Sequence, residues 1–282
     1  MATILSISSQ VIYGAVGNSA AAFAMERLGH EVWEVPTVLL AHHPGYGKVE
    51  GGPLDAELIA SLVRALDERG WLKRCDAVIS GYLAEARQAD AVADAVERVK
   101  AANPDALYLC DPIIGDETGA YVSPDIEAAQ AELVRQADII TPNWFEFSRL
   151  VGEAPADART AIPLARTLGP KIVAITSAPA PERRISCLAV EAKRGYRAET
   201  ARHMPANGDA VPKGTGDLFA AVFLARLLTG VAMPQALARA AASAAALVKS
   251  SVEAGRAELA LARDQGMIWD PGLLPNIEII NS

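Results

Sequence analysis

The sequence predicts a single α/β domain over residues 1–282, of the three-layer αβα type, with a mostly parallel central sheet and antiparallel edge strands. Short apolar runs alternate with helical patterns along most of the chain, which is typical of βαβ units with right-handed crossovers. Of the 282 residues, 51% are hydrophobic and 21% are charged, which is enough apolar material for one full core. The sequence has no repeat, low-complexity linker or composition break that would mark a second domain.

Apolar periodicity gives the expected order of elements from the N-terminus onward. Strands are predicted at residues 3–7, 32–40, 77–80, 107–110, 139–140 and 171–176, and helices at about 18–29, 55–69, 88–100, 216–228 and 234–250. The last two helices are rich in alanine, so they suit close packing in the core. Residues 185–204 differ, because a period-two pattern and a turn near 193–195 predict an antiparallel hairpin at a sheet edge.

The charge pattern argues against a nucleic-acid partner. The formal net charge is -8, and 26 Lys and Arg residues are mixed with 34 Asp and Glu residues instead of forming a basic stripe. No segment approaches the roughly 20 apolar residues of a membrane span and the N-terminus lacks a leader pattern, so we expect a soluble, cytoplasmic protein. The three cysteines lie far apart, which predicts neither a zinc site nor a disulfide framework.

The most informative motif is a glycine-rich turn, Gly214, Thr215 and Gly216, which leads into Asp217 at the start of an Ala-rich helix. Such a turn aims backbone N–H groups at one point in front of the positive end of the helix dipole, so it suits an anion. Phosphoryl transfer needs this arrangement because charge accumulates on the transferring oxygens. Asp217 could then accept the proton of an attacking hydroxyl. The alternative is an ordinary turn in which Asp217 only starts the helix.

Two further groups of polar residues follow predicted strands, where ligands of open α/β sheets bind. Thr141, Asn143 and Glu146 come after the strand at 139–140, and Asp111 and Asp116 come after the strand at 107–110. Carboxylate oxygens in such places can hold a hard cation such as Mg²⁺. The structural alternative is that Asn143 and Glu146 start the next helix, and that the proline after Asp111 only ends its strand.

These motifs together resemble those of the ribokinase-like superfamily, and among its members the pyridoxal kinases. The resemblance runs from the first strand to the helix after the glycine-rich turn, and its segments are SQVIYGAVGN at 9–18, GYG at 45–47, SGY at 80–82, DPIIGD at 111–116, TPNWFE at 141–146, ITS at 175–177 and GTGDLFAA at 214–221. It implies a ribokinase-like fold and ATP-dependent phosphorylation of the 5′-hydroxymethyl group of pyridoxal, with pyridoxine and pyridoxamine as related acceptors. It also implies Mg²⁺ with ATP, a stimulating monovalent cation (K⁺ or Na⁺) and a homodimer.

The resemblance also implies a role for individual residues. Asp217 would be the base, and the transferring phosphoryl group would be held by Gly214, Thr215 and Gly216. The residues around the vitamer would be Ser9, Val16, Val38, His43, Pro44 and Tyr82. Metal ions would be held by Asp111, Thr141 and, through water, Glu146. The nucleotide would contact Asp116, Tyr121, Asn143, Glu146, Thr176, Ser177, Gly208, Asp209, Ala210, Gly214 and Thr215.

Three positions depart from the family pattern on the substrate side. Pro44 stands where the family has a threonine, so a hydroxyl and an N–H donor are missing there. Leu40 replaces an aromatic residue, and Gln10 replaces a histidine. A hydroxymethylpyrimidine acceptor therefore stays open as an alternative, as does a vitamer-binding protein without turnover. The glycine-rich loop at 41–52 has the length and composition of a lid.

Overall fold

The computed structural model describes residues 1–205 and 211–280. The strands are β1 (Thr3–Tyr13), β2 (Glu31–His42), β3 (Gly51–Pro53), β4 (Cys75–Ser80), β5 (Leu107–Cys110), β6 (Gly115–Asp116), β7 (Gly119–Ala120), β8 (Ile139–Ile140), β9 (Ile172–Ala178), β10 (Arg184–Val190), β11 (Gly195–Ala201) and β12 (Ile277–Ile280). The helices are α1 (Asn18–Arg27), α2 (Ala56–Glu68), α3 (Gln88–Ala102), α4 (Pro124–Gln136), α5 (Trp144–Val151), α6 (Ala158–Thr167), α7 (Thr215–Leu228), α8 (Met233–Glu253) and α9 (Gly266–Trp269). Each predicted strand and helix is present, although β1 runs to Tyr13 and not to residue 7.

Most of the strands form one sheet in the order β12-β11-β10-β9-β8-β5-β4-β1-β2-β3. Neighbours from β2 through β1, β4, β5 and β8 to β9 are parallel, whereas β3 at one edge and β10, β11 and β12 at the other pair antiparallel. This confirms the predicted three-layer αβα architecture. Because β1 pairs with β2 on one side and with β4 on the other, the strand order reverses at β1. Open α/β sheets bind ligands in the crevice at such a point.

Strand β1 is irregular just after the point where its pairing with β4 ends. Residues 3–7 pair with both β2 and β4, whereas the later residues pair with β2 alone. The register with β2 shifts so that two residues, Thr37 and Val38, lie opposite Ser9. Irregularities of this kind re-aim side chains and are common beside active sites. The predicted substrate residues Ser9 and Val38 therefore lie at a bulge that the apolar pattern does not reveal.

Two hydrophobic clusters cover the two faces of the sheet. One packs α2, α3, α4 and α6 against strand residues such as Leu5, and the other packs α1, α7 and α8 against strand residues such as Ile4. Ile4 and Leu5 lie on opposite faces because successive side chains of a strand alternate. Helix α7 is buried over its whole middle part, which confirms that its alanines serve close packing.

The described residues differ from the predicted pattern mainly at the edges of the large sheet and in a separate two-stranded ribbon formed by β6 and β7. Strand β12 pairs with β11, so the β10–β11 hairpin lies one strand inside the edge and its predicted edge position is wrong. Strands β3, β6 and β7 are only two or three residues long. Such short segments give no periodic signal, and their pairing depends on tertiary contacts.

His30 ties the first strand to helix α7. Its ring is buried, Nδ1 accepts a hydrogen bond from Ala2 N–H at 3.3 Å, and Nε2 donates to Ala225 O at 3.1 Å. These partners require a neutral ring with its proton on Nε2. Burial lowers the pKa of His30 below its ordinary value of 6.5.

We expect His30 to make folding less favourable as the pH falls. A histidine whose pKa is lowered by folding contributes stability above the unfolded pKa of about 6.5, and this stability is lost as the pH falls toward the folded pKa. The free energy of unfolding in urea, measured from about pH 8 to about pH 5, should therefore fall less steeply in His30→Gln, whose amide does not titrate in this range. Equal slopes in the two proteins would contradict the buried neutral ring.

Candidate active site

The glycine-rich turn before α7 has the geometry of an anion-binding nest. Gly214 is the N-cap of α7, with a left-handed φ of 87°. The hydrogen bond from Leu218 N–H to Gly214 O, 3.0 Å long, begins the helical ladder, so the N–H groups of residues 215–217 lie ahead of it. A Cβ on Gly216 would meet nothing within 4 Å, so there is open space at this position. The turn therefore suits an anion.

The nest packs directly against the first loop, which we define as residues 13–17. A Cβ on Gly214 would lie 1.8 Å from Ala15 O, and a Cβ on Gly17 would lie 2.2 Å from both O and Oγ of Ser9. Both glycines have positive φ, and only glycine allows such close backbone approach in this conformation. The first loop and the nest, far apart in sequence, therefore form one continuous surface.

Asp217 lies beside this junction, half-buried in the first turn of α7. Burial raises the pKa of Asp217, and the backbone N–H groups of Gly17 and of Asp217 itself offset part of this increase in pKa. A carboxylate with a raised pKa at the mouth of a nest is suited to accept a proton from a hydroxyl group. Asp217 does lie at a helix start, as the structural alternative requires. The effect of Gly17 on its pKa shows that Asp217 also lies near the first loop.

The residues predicted to surround the substrate lie at the β1–β2 bulge and in the loops after β1, β2 and β4. Val16 and Val38 are buried, whereas Ser9 and Tyr82 are partly exposed. Tyr82 N–H donates to Ser8 Oγ at 3.2 Å, which joins the loop after β4 to strand β1. The structure thus brings these predicted substrate residues to the same end of the sheet.

Two polar residues that sequence reasoning missed support this pocket wall. Thr37 Oγ1 donates to Tyr82 O at 2.7 Å. Gln88, which is fully buried at the start of α3, donates to Thr37 O at 2.7 Å and to Leu54 O at 2.8 Å, and its oxygen accepts from two N–H groups of the preceding loop. Both donors and both acceptor positions of the amide are used. A glutamine in an amphipathic helix gives no sign of such a role, which only the distant partners reveal.

Asp111 and Glu146 are buried carboxylates, and Asp111 is affected by the charges of both Glu146 and Asp217. Thr141 Oγ1 donates to Asp111 Oδ1 at 2.8 Å. Burial raises the pKa of Asp111 well above its usual range, and the charges of Glu146 and Asp217 raise it further. Burial also raises the pKa of Glu146 to about 7. A cation among these groups would stabilise their ionised forms, because an opposite charge offsets both desolvation and repulsion.

Glu146 and Asn143 also have the structural role that the sequence left open. They form a capping box at the start of α5, in which Asn143 Oδ1 accepts from Glu146 N–H at 2.9 Å and Glu146 Oε2 accepts from Asn143 N–H at 2.8 Å. Glu146 Oε1 accepts from Ile114 N–H at 2.9 Å, and Asn143 Nδ2 donates to Gly115 O at 2.7 Å. The pair therefore fixes the segment after β5 against α5.

The oxygen donors of this region fit a magnesium ion that is carried by a nucleotide. Asp111, Thr141 and Glu146 offer the hard oxygen ligands that Mg²⁺ prefers. Within residues 1–205 and 211–280, no group of three or more His, Cys, Asp or Glu side chains is placed to hold a metal ion. Mg²⁺ in phosphoryl-transfer sites takes one or two carboxylates and completes its shell with water and phosphate oxygens. The donor set agrees with that pattern.

The predicted nucleotide residues lie at and after the ends of β5, β8 and β9. Thr176 N–H donates to the loop after β8, and Ser177 has a left-handed φ of 55°, a costly conformation for a residue other than glycine. Asp116, in the β6–β7 ribbon, accepts hydrogen bonds from Thr118 N–H at 2.8 Å and from Thr118 Oγ1 at 2.6 Å. The Tyr121 hydroxyl also lowers the pKa of Asp116. Outside the described residues lie Gly208, Asp209 and Ala210.

The 41–52 loop approaches the nest from the substrate side. His43 caps a short 3-10 turn, Pro44–Tyr46, through Nδ1, which accepts from Gly45 N–H at 3.0 Å. Burial lowers the pKa of His43, and so does the nearby charge of Lys213, the residue immediately before the nest. Pro44 is exposed at the first position of the turn. His43 and Pro44 thus lie on a loop near the residue that precedes the nest, and their contact with substrate stays a prediction.

Fold and site together define the class of protein. A three-layer αβα domain with an anion nest, an adjacent aspartate and buried carboxylates for a cation at the carboxyl ends of its strands is a small-molecule kinase of the ribokinase-like class. Comparison with family models agrees, since residues 24–261 match the model of the phosphomethylpyrimidine kinase family.

Individual relatives narrow the assignment. The chain is 40% identical over 278 residues to pyridoxal kinase PdxY of Paraburkholderia xenovorans, with 95% of this chain and 94% of the relative covered. It is 43% identical over 269 residues to pyridoxal kinase PdxY of Granulibacter bethesdensis, with 91% and 92% covered. Its fold resembles that of the pyridoxal kinase of Leishmania donovani in complex with ADP and pyridoxamine, with a TM-score of 0.92, 27% identity and 99% of both chains covered. The chain therefore belongs to the pyridoxal kinase family.

We expect Gly214→Ala to disrupt the nest. The added Cβ would clash with Ala15 O in a left-handed conformation, so the turn would have to move away from the first loop. ATP affinity, measured by calorimetry, should fall by at least about tenfold, the loss expected when a charge-assisted hydrogen bond is removed.

Gly230→Ala is the matched control for this substitution. Gly230 follows α7 with a φ of 78°, and a Cβ there meets nothing within 4 Å. The control should lose about 1–2 kcal/mol of unfolding free energy because of its left-handed backbone. It should nevertheless keep its ATP affinity. Equal ATP affinities in the two variants would contradict the assignment of the nest.

Proposed function

We propose that this protein is a pyridoxal kinase, which transfers the γ-phosphoryl group of ATP to the 5′-hydroxymethyl group of pyridoxal in the salvage of pyridoxal 5′-phosphate. The observation that carries the proposal is the packing of the glycine-rich turn on the first loop, so close that a Cβ on Gly214 would lie 1.8 Å from Ala15 O. Asp217, in the first turn of α7, would then act as the base between the substrate loop and the anion nest. The relatives support the choice of acceptor, because they are named pyridoxal kinases and the Leishmania enzyme is seen with ADP and pyridoxamine or pyridoxine.

In the proposed reaction the hydroxymethyl oxygen attacks the γ-phosphorus in line with the departing ADP oxygen. Asp217 accepts the hydroxyl proton as the new O–P bond forms and the bond to ADP breaks. The backbone N–H groups of Thr215 and Gly216 donate to the equatorial oxygens, which carry the charge of the transition state. These donors are fixed by α7 before the substrate binds, so they need no reorganisation during the reaction.

The cation-binding residues have a separate part in the proposal. When bound, Mg²⁺ would neutralise part of the phosphate charge and orient the β- and γ-phosphates. Asp111 and Thr141 would hold it, with Glu146 acting through water. The buried Asp111 and Glu146 would be kept ionised by the cation, against the desolvation that raises the pKa of each. A monovalent cation, K⁺ or Na⁺, stays a prediction from the resemblance.

On the substrate side, the proposed roles follow the position of each residue. Val16, Val38 and Tyr82 would pack around the pyridine ring, and Ser9 would hydrogen-bond it. Pro44 offers neither a hydroxyl nor an N–H, so His43 would supply the polar contact of this loop. The missing donor, together with the match to the phosphomethylpyrimidine kinase model, favours hydroxymethylpyrimidine as the second candidate acceptor.

A coupled assay of ADP release tests both the acceptor and the base. With Mg·ATP, we expect turnover of pyridoxal, pyridoxine or pyridoxamine in preference to hydroxymethylpyrimidine. Asp217→Asn should reduce kcat by about 10²–10⁴-fold, the usual contribution of a general base, with little change in ATP affinity. Near-normal turnover in this variant would exclude Asp217 as the base. If the enzyme preferred hydroxymethylpyrimidine, this compound would replace pyridoxal as the proposed acceptor.

Asp125→Asn is the matched control for loss of charge at a helix start. Asp125 lies in the first turn of α4, just as Asp217 lies in the first turn of α7, but the Asp125 side chain is exposed. Both substitutions remove a favourable interaction with a helix dipole, which contributes about 0.3–1 kcal/mol. If Asp217 only started its helix, the two variants would keep similar turnover.

The sequence also led to predictions about membrane association, cellular location, oligomeric state and domain organisation. In the part of the chain that the structure describes, no helix is long and apolar enough to cross a membrane. A cytoplasmic location, a homodimer and a single domain over residues 1–282 remain predictions. Sedimentation of the purified protein would test the dimer.

A further inference from the structure

Glu258 is a buried carboxylate that neither the sequence motifs nor the proposed reaction uses. It lies in the segment after α8 and is 5% exposed. Its neighbours Leu259 and Leu261 are buried in the core, and Ala260 N–H donates to Ser251 Oγ of α8 at 2.9 Å. The segment that carries this carboxylate is therefore firmly held by α8.

Both carboxylate oxygens of Glu258 accept hydrogen bonds from loops of the site. Oε2 accepts from Ala15 N–H in the first loop at 2.8 Å. Oε1 accepts from the hydroxyl of Tyr46 in the 41–52 loop. The main chain of Glu258 also pairs with that of Lys213, immediately before the nest, in a single parallel bridge. One residue therefore contacts the first loop, the 41–52 loop and the approach to the nest.

The first loop is shaped to receive this carboxylate. Gly14 has a φ of 114°, and a Cβ there would lie 2.8 Å from Glu258 Oε2. A larger residue would be strained and would push the carboxylate away from Ala15 N–H. Ala15 itself lies against the nest, because a Cβ on Gly214 would come within 1.8 Å of Ala15 O. The hydrogen bond from Ala15 N–H to Glu258 therefore holds the backbone that packs against the start of α7.

The tip of the 41–52 loop has few other attachments. Residues 44–48 are exposed, and the Tyr46 ring, itself 45% exposed, makes edge contacts with Tyr13 and His42 at centroid distances of 6.2 and 5.9 Å. The nearby ion pair between Lys48 and Glu50 is solvent-exposed and contributes little. Because Glu258 is fixed in the core and the tip is not, loss of the hydroxyl-carboxylate bond should free the loop and leave Glu258 in place.

We propose that Glu258 is a positioning residue for phosphoryl transfer, which fastens the 41–52 loop over the substrate through Tyr46 and fixes the first loop beside Asp217 through Ala15. The proposal rests on the proposed function, because the substrate lies between these two loops. Opening the loop breaks one hydrogen bond and admits the vitamer, and closing it restores the bond and excludes water from the reacting groups. Glu258 itself does not touch the substrate.

Steady-state kinetics of point variants test the role of Glu258 in the reaction. Tyr46→Phe removes one oxygen from an exposed ring, so folding is not at risk, and it should raise the KM for pyridoxal by about tenfold, as expected for a lost hydrogen bond to a charged group. Glu258→Ala should raise it at least as much and lower kcat as well, whereas the KM for Mg·ATP should stay unchanged in both variants. Adding Tyr46→Phe to Glu258→Ala should have little further effect, because the bond is already absent.

Two further variants separate positioning from general stability. Glu258→Gln keeps an oxygen for Ala15 N–H and an N–H for the Tyr46 hydroxyl, so it should restore most of the activity that Glu258→Ala loses. Glu50→Ala removes an exposed carboxylate from the same loop and should behave as the wild type. Equal increases in KM for pyridoxal and Mg·ATP, or full additivity of Tyr46→Phe and Glu258→Ala, would overturn the proposal.

Hydrogen exchange tests the fastening without any turnover. The amides of Tyr46 and Gly47 are bonded within the tip, to His43 O at 3.1 Å and to Pro44 O at 3.0 Å, so they report its opening. Without substrate, they should exchange about tenfold faster in Tyr46→Phe and Glu258→Ala than in the wild type or Glu50→Ala. Unchanged exchange would refute the fastening even in an active enzyme. Faster exchange in a protein that phosphorylates no vitamer would instead leave the fastening intact and refute the proposed function.

Discussion

The close backbone contact between Gly214 and Ala15 is the constraint on which the rest of the site depends. It leaves no room for a side chain at position 214, since a Cβ there would lie 1.8 Å from Ala15 O. Through this contact the amides at the start of α7 and the loop after β1 become one surface, although they come from opposite ends of the chain. Asp217, in the first turn of α7, then lies near the first loop, where the backbone of Gly17 lowers its pKa against the effect of burial.

The sheet supplies the frame for this contact. Strand β1 is flanked by β2 and β4, and its register shifts at Ser9, so three strand ends deliver loops to one crevice. Helices α1 and α7 pack on the same face of the sheet, in the same hydrophobic cluster. The close packing that buries α7 therefore also fixes the position of the nest relative to the first loop. Stability and catalytic geometry rest on the same contacts.

Buried negative charge is the second feature that organises the site. Burial raises the pKa of Asp111, Glu146 and Asp217, and the charges of Glu146 and Asp217 raise the pKa of Asp111 further. Backbone N–H groups offset part of this cost at Glu146 and Asp217, and Thr141 does so at Asp111. The remaining repulsion would be reduced by a cation, because an opposite charge stabilises ionised carboxylates. In the proposed reaction, this cation would be the Mg²⁺ that accompanies ATP.

The sequence was sufficient to predict the parallel core and the motifs at strand ends, because apolar periodicity and strings such as Gly214 to Asp217 are local signals. It was not sufficient for features that depend on pairs of distant residues. Gln88 and Glu258 are single polar residues in unremarkable surroundings, and their partners lie in loops of other segments. The bulge at Ser9 and the pairing of β12 likewise follow from tertiary contacts. Asn143 and Glu146 cap α5 as well as being predicted site residues, and this second role became clear only from the capping geometry in the structure.

The most direct test of the central claim is a crystal structure of the protein with Mg²⁺, pyridoxal and a non-hydrolysable ATP analogue. We expect the 5′-hydroxymethyl oxygen within hydrogen-bond reach of the Asp217 carboxylate, roughly 2.6–3.2 Å away, with the γ-phosphate on the N–H groups of residues 215 and 216. A pyridoxal whose hydroxymethyl group points away from Asp217, or a γ-phosphate bound elsewhere than in front of α7, would contradict it.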